Sequence, residues 1–351
     1  MNAPDQFAWQ LFIQVNSRTA NASALFETFA TNENTFRPNP TYPSGPTPPT
    51  MRRAILLREV MNLSVSPFRR TINEASGEEV RRNRTSFDFI VQHNLYKKSG
   101  LKAAFGSSIS FPVGSIELKM MWLPIDQIPG VPQQDAPTLF HIVQTPSNGP
   151  WALLSMHIIS KAVPNWTWAT FEHKLNQGRC DVLGCKDAFG AQTPYVPPNA
   201  QAEETYPDCA KSPALIRLLA EANIEEVFAN YCLKGSQVDF TDNTGLATRL
   251  GNSLMEGSIL ASSSCMTCHA SASFSQDGVN RSSGIVNGVG PLGPIQPNWY
   301  WIISAGPPIF QGQPGLTRIA TSSDFVWSIP ACAIDDSVNP PTKTPCTDNS
   351  K

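Results

Sequence analysis

The chain contains little charge and no long apolar run. Asp, Glu, Lys and Arg make up 15% of its residues, and its formal net charge is -2. A nucleic-acid-binding protein needs basic surface to neutralise phosphates, so this balance argues against such a partner. The chain also lacks any apolar stretch of about eighteen residues, the length that a membrane-spanning helix requires. The sequence therefore predicts no transmembrane segment.

A secretory leader is also missing. Residues 1–12, MNAPDQFAWQLF, have neither a basic start nor a continuous apolar segment. The low charge, together with 31 prolines and 22 glycines that are mostly dispersed, is nevertheless typical of an extracytoplasmic protein with long ordered loops. We therefore expect a periplasmic or secreted protein whose leader is removed from the mature chain.

Six of the eight cysteines form an even set, as disulfides in an oxidising compartment require. Their positions in the chain favour three local bonds: Cys180–Cys185, Cys209–Cys232 and Cys332–Cys346. The alternative is that some of the six are free thiols that pack as small apolar residues.

The pattern of apolar residues predicts both helices and strands. Helical periodicity predicts helices at 7–15, 21–30, 85–98 (ended by Gly100), 212–233 and 245–260. Alternating or continuous apolar residues predict strands at 115–123, 138–145, 151–161 and 323–331. We expect one loop-rich α+β domain over 1–351, with a mainly antiparallel central sheet and a helical carboxy-terminal region. A division into a strand-rich part, 1–205, and a second part, 206–351, stays open.

Residues 265–269 read CMTCH, with two cysteines three positions apart and a histidine directly after them. This spacing is the attachment signature of c-type haem, in which each thiol adds to a vinyl group and the imidazole binds the iron. A zinc site would need two more ligands nearby, and no second Cys-x-x-Cys or His pair follows. A dithiol redox motif would follow a strand, whereas a helical pattern precedes this one. The sequence predicts one covalent haem c on Cys265, Cys268 and His269, in the 206–351 part.

No Met or His follows His269 in the chain. The sixth iron ligand therefore comes from upstream, or that position is open. The candidates are His157, inside an apolar strand, and His173, at the end of the aromatic segment WTWATFEH (166–173). For each histidine the alternative is an ordinary hydrogen bond in the core. In an open site, His157, His173 or Glu172 would serve as acid, base or hydrogen-bond donor.

Five segments resemble a family of uncharacterised bacterial single-haem c-type cytochrome proteins. They are FAWQLFIQVN (7–16), FPVGSIELKMMW (111–122), LLSMHIISKAVPNWTWATFEH (153–173), NYCLKGSQ (230–237) and GNSLMEGSILASSSCMTCHASA (251–272). The resemblance covers most of the chain. It implies a periplasmic location and one covalent haem carried by Cys265, Cys268 and His269, and it implies no particular reaction.

Two functions are compatible with these features. The first is a periplasmic electron carrier with six-coordinate iron, which exchanges electrons with a redox partner protein or a small-molecule oxidant or reductant. The alternative is a peroxidase-like or oxygenase-like c-type haem enzyme with an open distal pocket. The chain is longer than a haem carrier requires, which leaves room for a substrate pocket or a docking surface.

Overall fold

A computed structural model describes residues 1–49, 52–53, 77–145, 149–198, 209–282, 292–304, 315–342 and 346. Its helices are α1 (Pro4–Val15), α2 (Asn32–Thr35), α3 (Arg84–Gln92), α4 (Lys98–Ala104), α5 (Ala136–Leu139), α6 (Pro213–Glu221), α7 (Cys265–Ala270) and α8 (Ser328–Cys332). Its strands are β1 (Ala30–Thr31), β2 (Arg52–Arg53), β3 (Gly77–Arg82), β4 (Ile116–Pro124), β5 (Ile142–Thr145), β6 (Gly149–Ser160), β7 (Thr167–His173), β8 (Cys185–Lys186), β9 (Tyr195–Val196), β10 (Tyr231–Gln237), β11 (Ser273–Phe274), β12 (Trp301–Ser304), β13 (Gly315–Arg318) and β14 (Thr321–Ser322).

The central element is an eight-stranded sheet. Its strand order is β1-β3-β4-β6-β7-β10, with β2 beside β3 and β5 beside β6. All of these pairs are antiparallel. The predicted α+β class with a mainly antiparallel central sheet is therefore confirmed. The short helices α7 and α8 and the two-stranded sheets β11–β14 and β12–β13 lie in the carboxy-terminal third.

The two faces of the sheet cover different apolar clusters. On one face, Met156 and Phe171 pack against α1, where Phe12 stacks on Phe171 with ring centroids 4.3 Å apart. On the other face, Trp168 belongs to a second cluster that includes Met266 of α7. Because alternate residues of a strand point to opposite faces, β7 contributes to both clusters. The sheet therefore separates α1 from the cysteine motif.

Several predicted elements are confirmed and others are wrong. Helix α1 and strands β4 and β6 match the predictions at 7–15, 115–123 and 151–161, and β5 forms the second half of 138–145. In contrast, 21–30 contains a 3-10 turn at Leu25–Thr28 and the first residue of β1, and 245–260 is irregular up to a 3-10 turn at Gly257–Ser262. The predicted last strand ends instead in α8.

The prediction that one helix extends to a cap at Gly100 is also wrong. Helix α3 ends at Gln92, and Asn94 takes the left-handed conformation, with φ 57°. A residue in this conformation just past the last turn is a common helix stop. A new helix, α4, then begins at Lys98 and contains Gly100.

All three predicted disulfides are present. Cys180 bonds Cys185, Cys209 bonds Cys232, and Cys332 bonds Cys346. No helix in the described ranges has both the length and the hydrophobicity to cross a bilayer. The possible domain boundary at 205/206 lies outside the described residues.

Candidate functional site

Helix α7 carries the whole CMTCH motif. It begins after Ser264, whose Oγ accepts a hydrogen bond from the Thr267 amide at 3.3 Å. Such a cap satisfies one of the free amides at a helix start and fixes where the helix begins. Cys265 and Cys268 lie three positions apart and therefore on the same side of the helix. They are the free cysteines of the chain, whereas the other six are paired.

Contacts from distant segments hold α7 in place. The Gln237 side chain, at the end of β10, accepts from the Met266 amide at 3.0 Å and donates to Ser264 Oγ at 2.8 Å. On the other side, Thr267 Oγ1 donates to the Gly293 carbonyl at 2.8 Å. Because a six-residue helix is unstable alone, these bonds and the buried Met266 side chain fix its position.

His269 is oriented by a backbone carbonyl. Its Nδ1 lies 2.9 Å from the oxygen of Phe325. Asp324 and Phe325 both have left-handed backbones, with φ of 51° and 71°. Such a conformation is unfavourable for these residues and has to be held by its surroundings. It turns the Phe325 carbonyl toward the imidazole.

A buried ion pair anchors this turn. Lys161 Nζ lies 2.7 and 2.8 Å from the two carboxylate oxygens of Asp324, and each side chain is 7% exposed. Asp324 also accepts a hydrogen bond of 2.7 Å from the Phe111 amide. The ion pair therefore connects the end of the sheet region to the turn that orients His269.

The surroundings keep His269 neutral. Burial lowers its pKa to about 4, although the bond to Phe325 acts in the opposite direction. A neutral imidazole has one N–H, and a carbonyl can only accept, so the proton is on Nδ1. The Nε2 atom therefore has its lone pair free to bind a metal.

The two thiols are protonated and shielded. Burial raises the pKa of Cys265 well above its ordinary value and that of Cys268 to about 11, and the nearby Glu256 carboxylate raises both further. A dithiol redox motif needs a lowered thiol pKa, because the thiolate is the nucleophile. These thiols therefore lack the main property of a redox-active pair.

Two tryptophans lie against His269. The Trp168 ring, from β7, has its centroid 4.8 Å from that of the imidazole. The Trp327 ring is 6.3 Å away, and its Nε1 donates to the Cys268 carbonyl at 3.2 Å. Aromatic surface of this kind keeps water from the ring and fixes its plane.

A polar pair faces the motif from the sheet and the preceding loop. His157 Nε2, on β6, lies 3.2 Å from Glu256 Oε1. Burial acts to raise the pKa of Glu256, but the charge and hydrogen bond of His157 prevail and lower it to about 2. The Asn252 side chain ties this loop to the sheet, because it donates a hydrogen bond to Thr170 Oγ1 at 2.8 Å. The Asn252 backbone amide donates to the Glu256 carboxylate.

These groups line a crevice in the protein. His157 and Glu256 are close enough to His269 for their charges to affect its pKa. All are surrounded by protein, yet the side chains of His157 and Glu256 remain 13% and 18% exposed. Cys268 and His269 are also only partly buried. We call the partly exposed surface formed by His157, Glu256, Cys268 and His269 the crevice beside α7.

The second histidine candidate lies in a different environment. His173 stacks on Phe140 with ring centroids 3.8 Å apart, and it is fully buried. Its Nε2 lies 3.0 Å from the Leu139 carbonyl, and its Nδ1 accepts from the Leu175 amide at 3.2 Å. Burial lowers its pKa to about 3. Because both nitrogens are bonded to backbone, neither is free for a ligand in this conformation.

Glu172 lies in a closed polar cluster. Its Oε1 accepts from the Ser253 amide at 2.8 Å and is 3.6 Å from Lys234 Nζ, and its Oε2 accepts from Asn176 and from the Ser253 hydroxyl. Its side chain has no exposed surface. Glu172 therefore joins the loop before α7 to β7, a positioning role, and does not line the crevice.

Sequence reasoning missed several residues of the site. Glu256 lies in the irregular segment that periodicity assigned to a helix, nine positions before Cys265. Asp324 and Phe325 lie in a segment predicted as a strand, and Gln237 has no pattern around it. Their roles depend on contacts between distant parts of the chain, which no local spacing encodes.

The donor set fits a covalently attached haem. Two free thiols and an imidazole with an available Nε2 are the groups that such an attachment requires. The described residues contain no cluster of three or more His, Cys, Asp and Glu side chains placed to hold a metal ion. Comparisons with protein-family profiles, with curated proteins and with solved structures found no match.

Proposed function

We propose that this chain is a periplasmic c-type haem protein that transfers electrons through one haem, covalently bound to Cys265 and Cys268. The observation that carries the proposal is the division of the cysteines. Six form disulfides, and the remaining two are in the one segment with a directly following histidine. Disulfides are typical of an oxidising compartment, which is also where c-type haem is attached, so the two features support each other.

His269 is the proposed proximal ligand. The Phe325 carbonyl accepts a hydrogen bond from its Nδ1–H, which leaves Nε2 for the iron. A hydrogen bond of this kind fixes the tautomer and the plane of a ligating imidazole and raises its basicity. The haem itself supplies one-electron chemistry, with a potential set by its ligands and its burial. The protein supplies the orientation and the apolar surroundings.

His157 is the proposed sixth ligand in preference to His173. It lies on the crevice beside His269, and Glu256 holds its ring. The nitrogens of His173 both have backbone partners. Ligation by His157 would use the ring nitrogen that is not bonded to Glu256, or would require that bond to break.

A haem enzyme is the second candidate, and the His157–Glu256 pair favours it. A histidine held by a carboxylate in an accessible crevice is able to move a proton to or from a bound small molecule. The redox partner would then be a small-molecule oxidant such as a peroxide. The electron carrier and the haem enzyme differ in whether His157 binds the iron or lies beside it without binding.

The first experiment tests covalent attachment. The full chain is exported in a bacterium with a c-type haem maturation system, and the product is extracted with acidified acetone. We expect the red pigment to stay with the polypeptide, and the intact mass to exceed the bare chain by one haem. The Cys265→Ala/Cys268→Ala variant should lose both properties.

The matched control is Cys180→Ala/Cys185→Ala, which removes two cysteines from a disulfide of the same chain. This variant should keep its covalent pigment. Wild-type protein of bare-chain mass, made beside a reporter cytochrome that is fully matured, would contradict the proposal.

The second experiment separates a carrier from an enzyme. Absorption spectra of the ferric and ferrous forms are recorded with and without cyanide or carbon monoxide. Low-spin spectra that do not respond to either ligand support the carrier, and His157→Phe should then convert the protein to a ligand-binding form. A high-spin ferric form that binds cyanide at once, unchanged in spin state by His157→Phe, supports the enzyme.

A further inference from the structure

The segment between Arg281 and Arg318 has no charged side chain. Residues 282–317 contain no Asp, Glu, Lys, Arg or His, in a chain in which charged residues make up 15%. The described parts of this segment nevertheless expose large apolar side chains. Those that are exposed are Leu292 (38%), Ile295 (41%), Ile302 (48%), Ile303 (73%) and Leu316 (46%). Exposed apolar patches of this kind mark contact surfaces.

The largest exposure is on the β12–β13 hairpin. Its four residue pairs run from Trp301 opposite Arg318 to Ser304 opposite Gly315. Because successive residues of a strand point to opposite sides, Ile302 and Ile303 lie on opposite faces of this ribbon. Both are exposed, and Leu316 pairs with Ile303 on its face. The hairpin therefore presents apolar side chains on both faces.

The apolar side chains on both faces of the hairpin indicate which kind of partner it contacts. A flat protein surface would cover only one of these two faces. A lipid layer surrounds both faces. The missing charge has the same meaning, because a protein interface normally has a polar or charged rim, whereas a segment that enters the headgroup layer places apolar side chains at the boundary with the acyl chains.

The base of the hairpin has the residues expected at a lipid headgroup level. The Arg318 guanidinium lies over the Trp301 ring, 4.3 Å from its centroid. Trp is enriched where a protein meets the membrane interface, and Arg binds anionic headgroups there. Arg318 and Trp301 lie at the base of the hairpin, and Ile302 and Ile303 lie farther along β12.

We propose that the β12–β13 hairpin docks this protein on a membrane surface that contains anionic phospholipid. Ile302, Ile303 and Leu316 enter between the headgroups, and Arg318 pairs with lipid phosphates. A two-stranded ribbon has open backbone edges that must stay hydrogen-bonded, so the hairpin remains in the hydrated interface and does not enter the hydrocarbon core. The docking is independent of haem.

The test is co-sedimentation of the full chain with vesicles. One set of vesicles contains phosphatidylethanolamine and phosphatidylglycerol, and a second contains phosphatidylcholine alone. We expect binding to the first set and at least tenfold weaker binding to the second. Ile303→Asp should weaken binding to the anionic vesicles at least tenfold, and Arg318→Gln should weaken it severalfold.

The matched control is Ile216→Asp, at a residue on α6 that is 53% exposed and outside the uncharged segment. It should bind vesicles like the wild type, and the thermal unfolding curves of all variants should agree. Equal loss in Ile216→Asp and Ile303→Asp would overturn the proposal, because general stickiness would then explain the binding. So would failure of the wild type to sediment. If Ile303→Asp instead dissociates an oligomer or a protein complex and vesicles have no effect, the hairpin is a protein contact and the proposal is wrong.

Discussion

At the scale of single residues, the orientation of His269 depends on a carboxylate that never touches it. Asp324 and its partner Lys161 hold a turn in a left-handed conformation, and the carbonyl of Phe325 accepts a hydrogen bond from the His269 imidazole. An ion pair with both members 7% exposed is stable only while both partners are present. Lys161 is thus a positioning residue for His269 through two intermediate contacts.

The substitution Lys161→Met tests this role. It leaves Asp324 buried without its cation, and we expect a loss of about 3 kcal/mol in the free energy of unfolding, measured by urea titration. In haem-loaded protein the reduction potential should shift as well, because the hydrogen bond to the proximal imidazole weakens.

The exposed Lys102→Met is the matched control and should leave both quantities within error. The double variant Lys161→Met/Asp324→Asn should regain part of the stability, since no charge is then left unpaired. A single variant as stable as the control, with an unchanged potential, would refute the positioning role.

At the scale of helices and strands, the close contact at Gly100 reverses an ordinary rule. Gly inside a helix normally destabilises it relative to Ala by about 0.5–1 kcal/mol. In α4, however, a Cβ at position 100 would lie 1.9 Å from the Asn94 carbonyl oxygen. The chain has just turned between α3 and α4 at this point, and the backbone of the turn passes directly over the helix.

We therefore expect Gly100→Ala to destabilise the protein, by about 2 kcal/mol, because backbone atoms have to move to admit the methyl group. The measurement is the urea midpoint at an unchanged m-value. Gly45→Ala is the control, since nothing lies within 4 Å of the Cβ it would add. A stabilised Gly100→Ala protein would mean that the turn at Asn94 is freely adjustable.

The elements differ in how well their sequence predicts them. Strand β4 was predictable because its apolar residues alternate with polar ones. Strand β6 was predictable because it is continuously apolar, as expected for a strand inside a sheet. The predicted helix at 212–233 is wrong beyond Glu221, where α6 ends, and its last three residues belong to β10. The pairing of β10 with β7 and the Cys209–Cys232 bond override the local helical preference.

At the scale of the whole molecule, the sheet separates two apolar clusters that have different roles. The cluster around Phe12 packs α1 on one face, and the cluster around Met266 and Trp168 holds the motif on the other. Damage to the first cluster should therefore change stability and leave the surroundings of the cysteine motif intact.

Phe12→Ala tests this separation. Phe12 is fully buried and stacks on Phe171, so its loss should cost about 4 kcal/mol in the free energy of unfolding. The absorption spectrum and the reduction potential of the haem-loaded protein should stay as in the wild type. Trp168→Phe, on the motif side, should shift the potential because the Trp168 ring lies against His269. Equal shifts in the two variants would show that the sheet does not isolate the clusters.

The grouping of the motif residues and the disulfide pairing were more predictable from sequence than the contacts that surround the motif. Cys265, Cys268 and His269 lie within one segment of five residues, and their spacing alone predicts a covalent haem. The three disulfides followed from the even count and the short separations. Glu256, Asp324 and the choice of His157 over His173 depended on how distant segments meet, and this information exists only in the folded chain.

The burial of Cys265 restricts when the proposed haem can be attached to it. In the folded chain its side chain is 8% exposed, and its Sγ donates to the Leu250 carbonyl at 3.3 Å. If haem is attached as proposed, a ligation enzyme has to bring each sulfur against a vinyl carbon, and it cannot reach this sulfur after the carboxy-terminal third has closed. Attachment must therefore come first and closure second. A chain exported already folded would remain colourless.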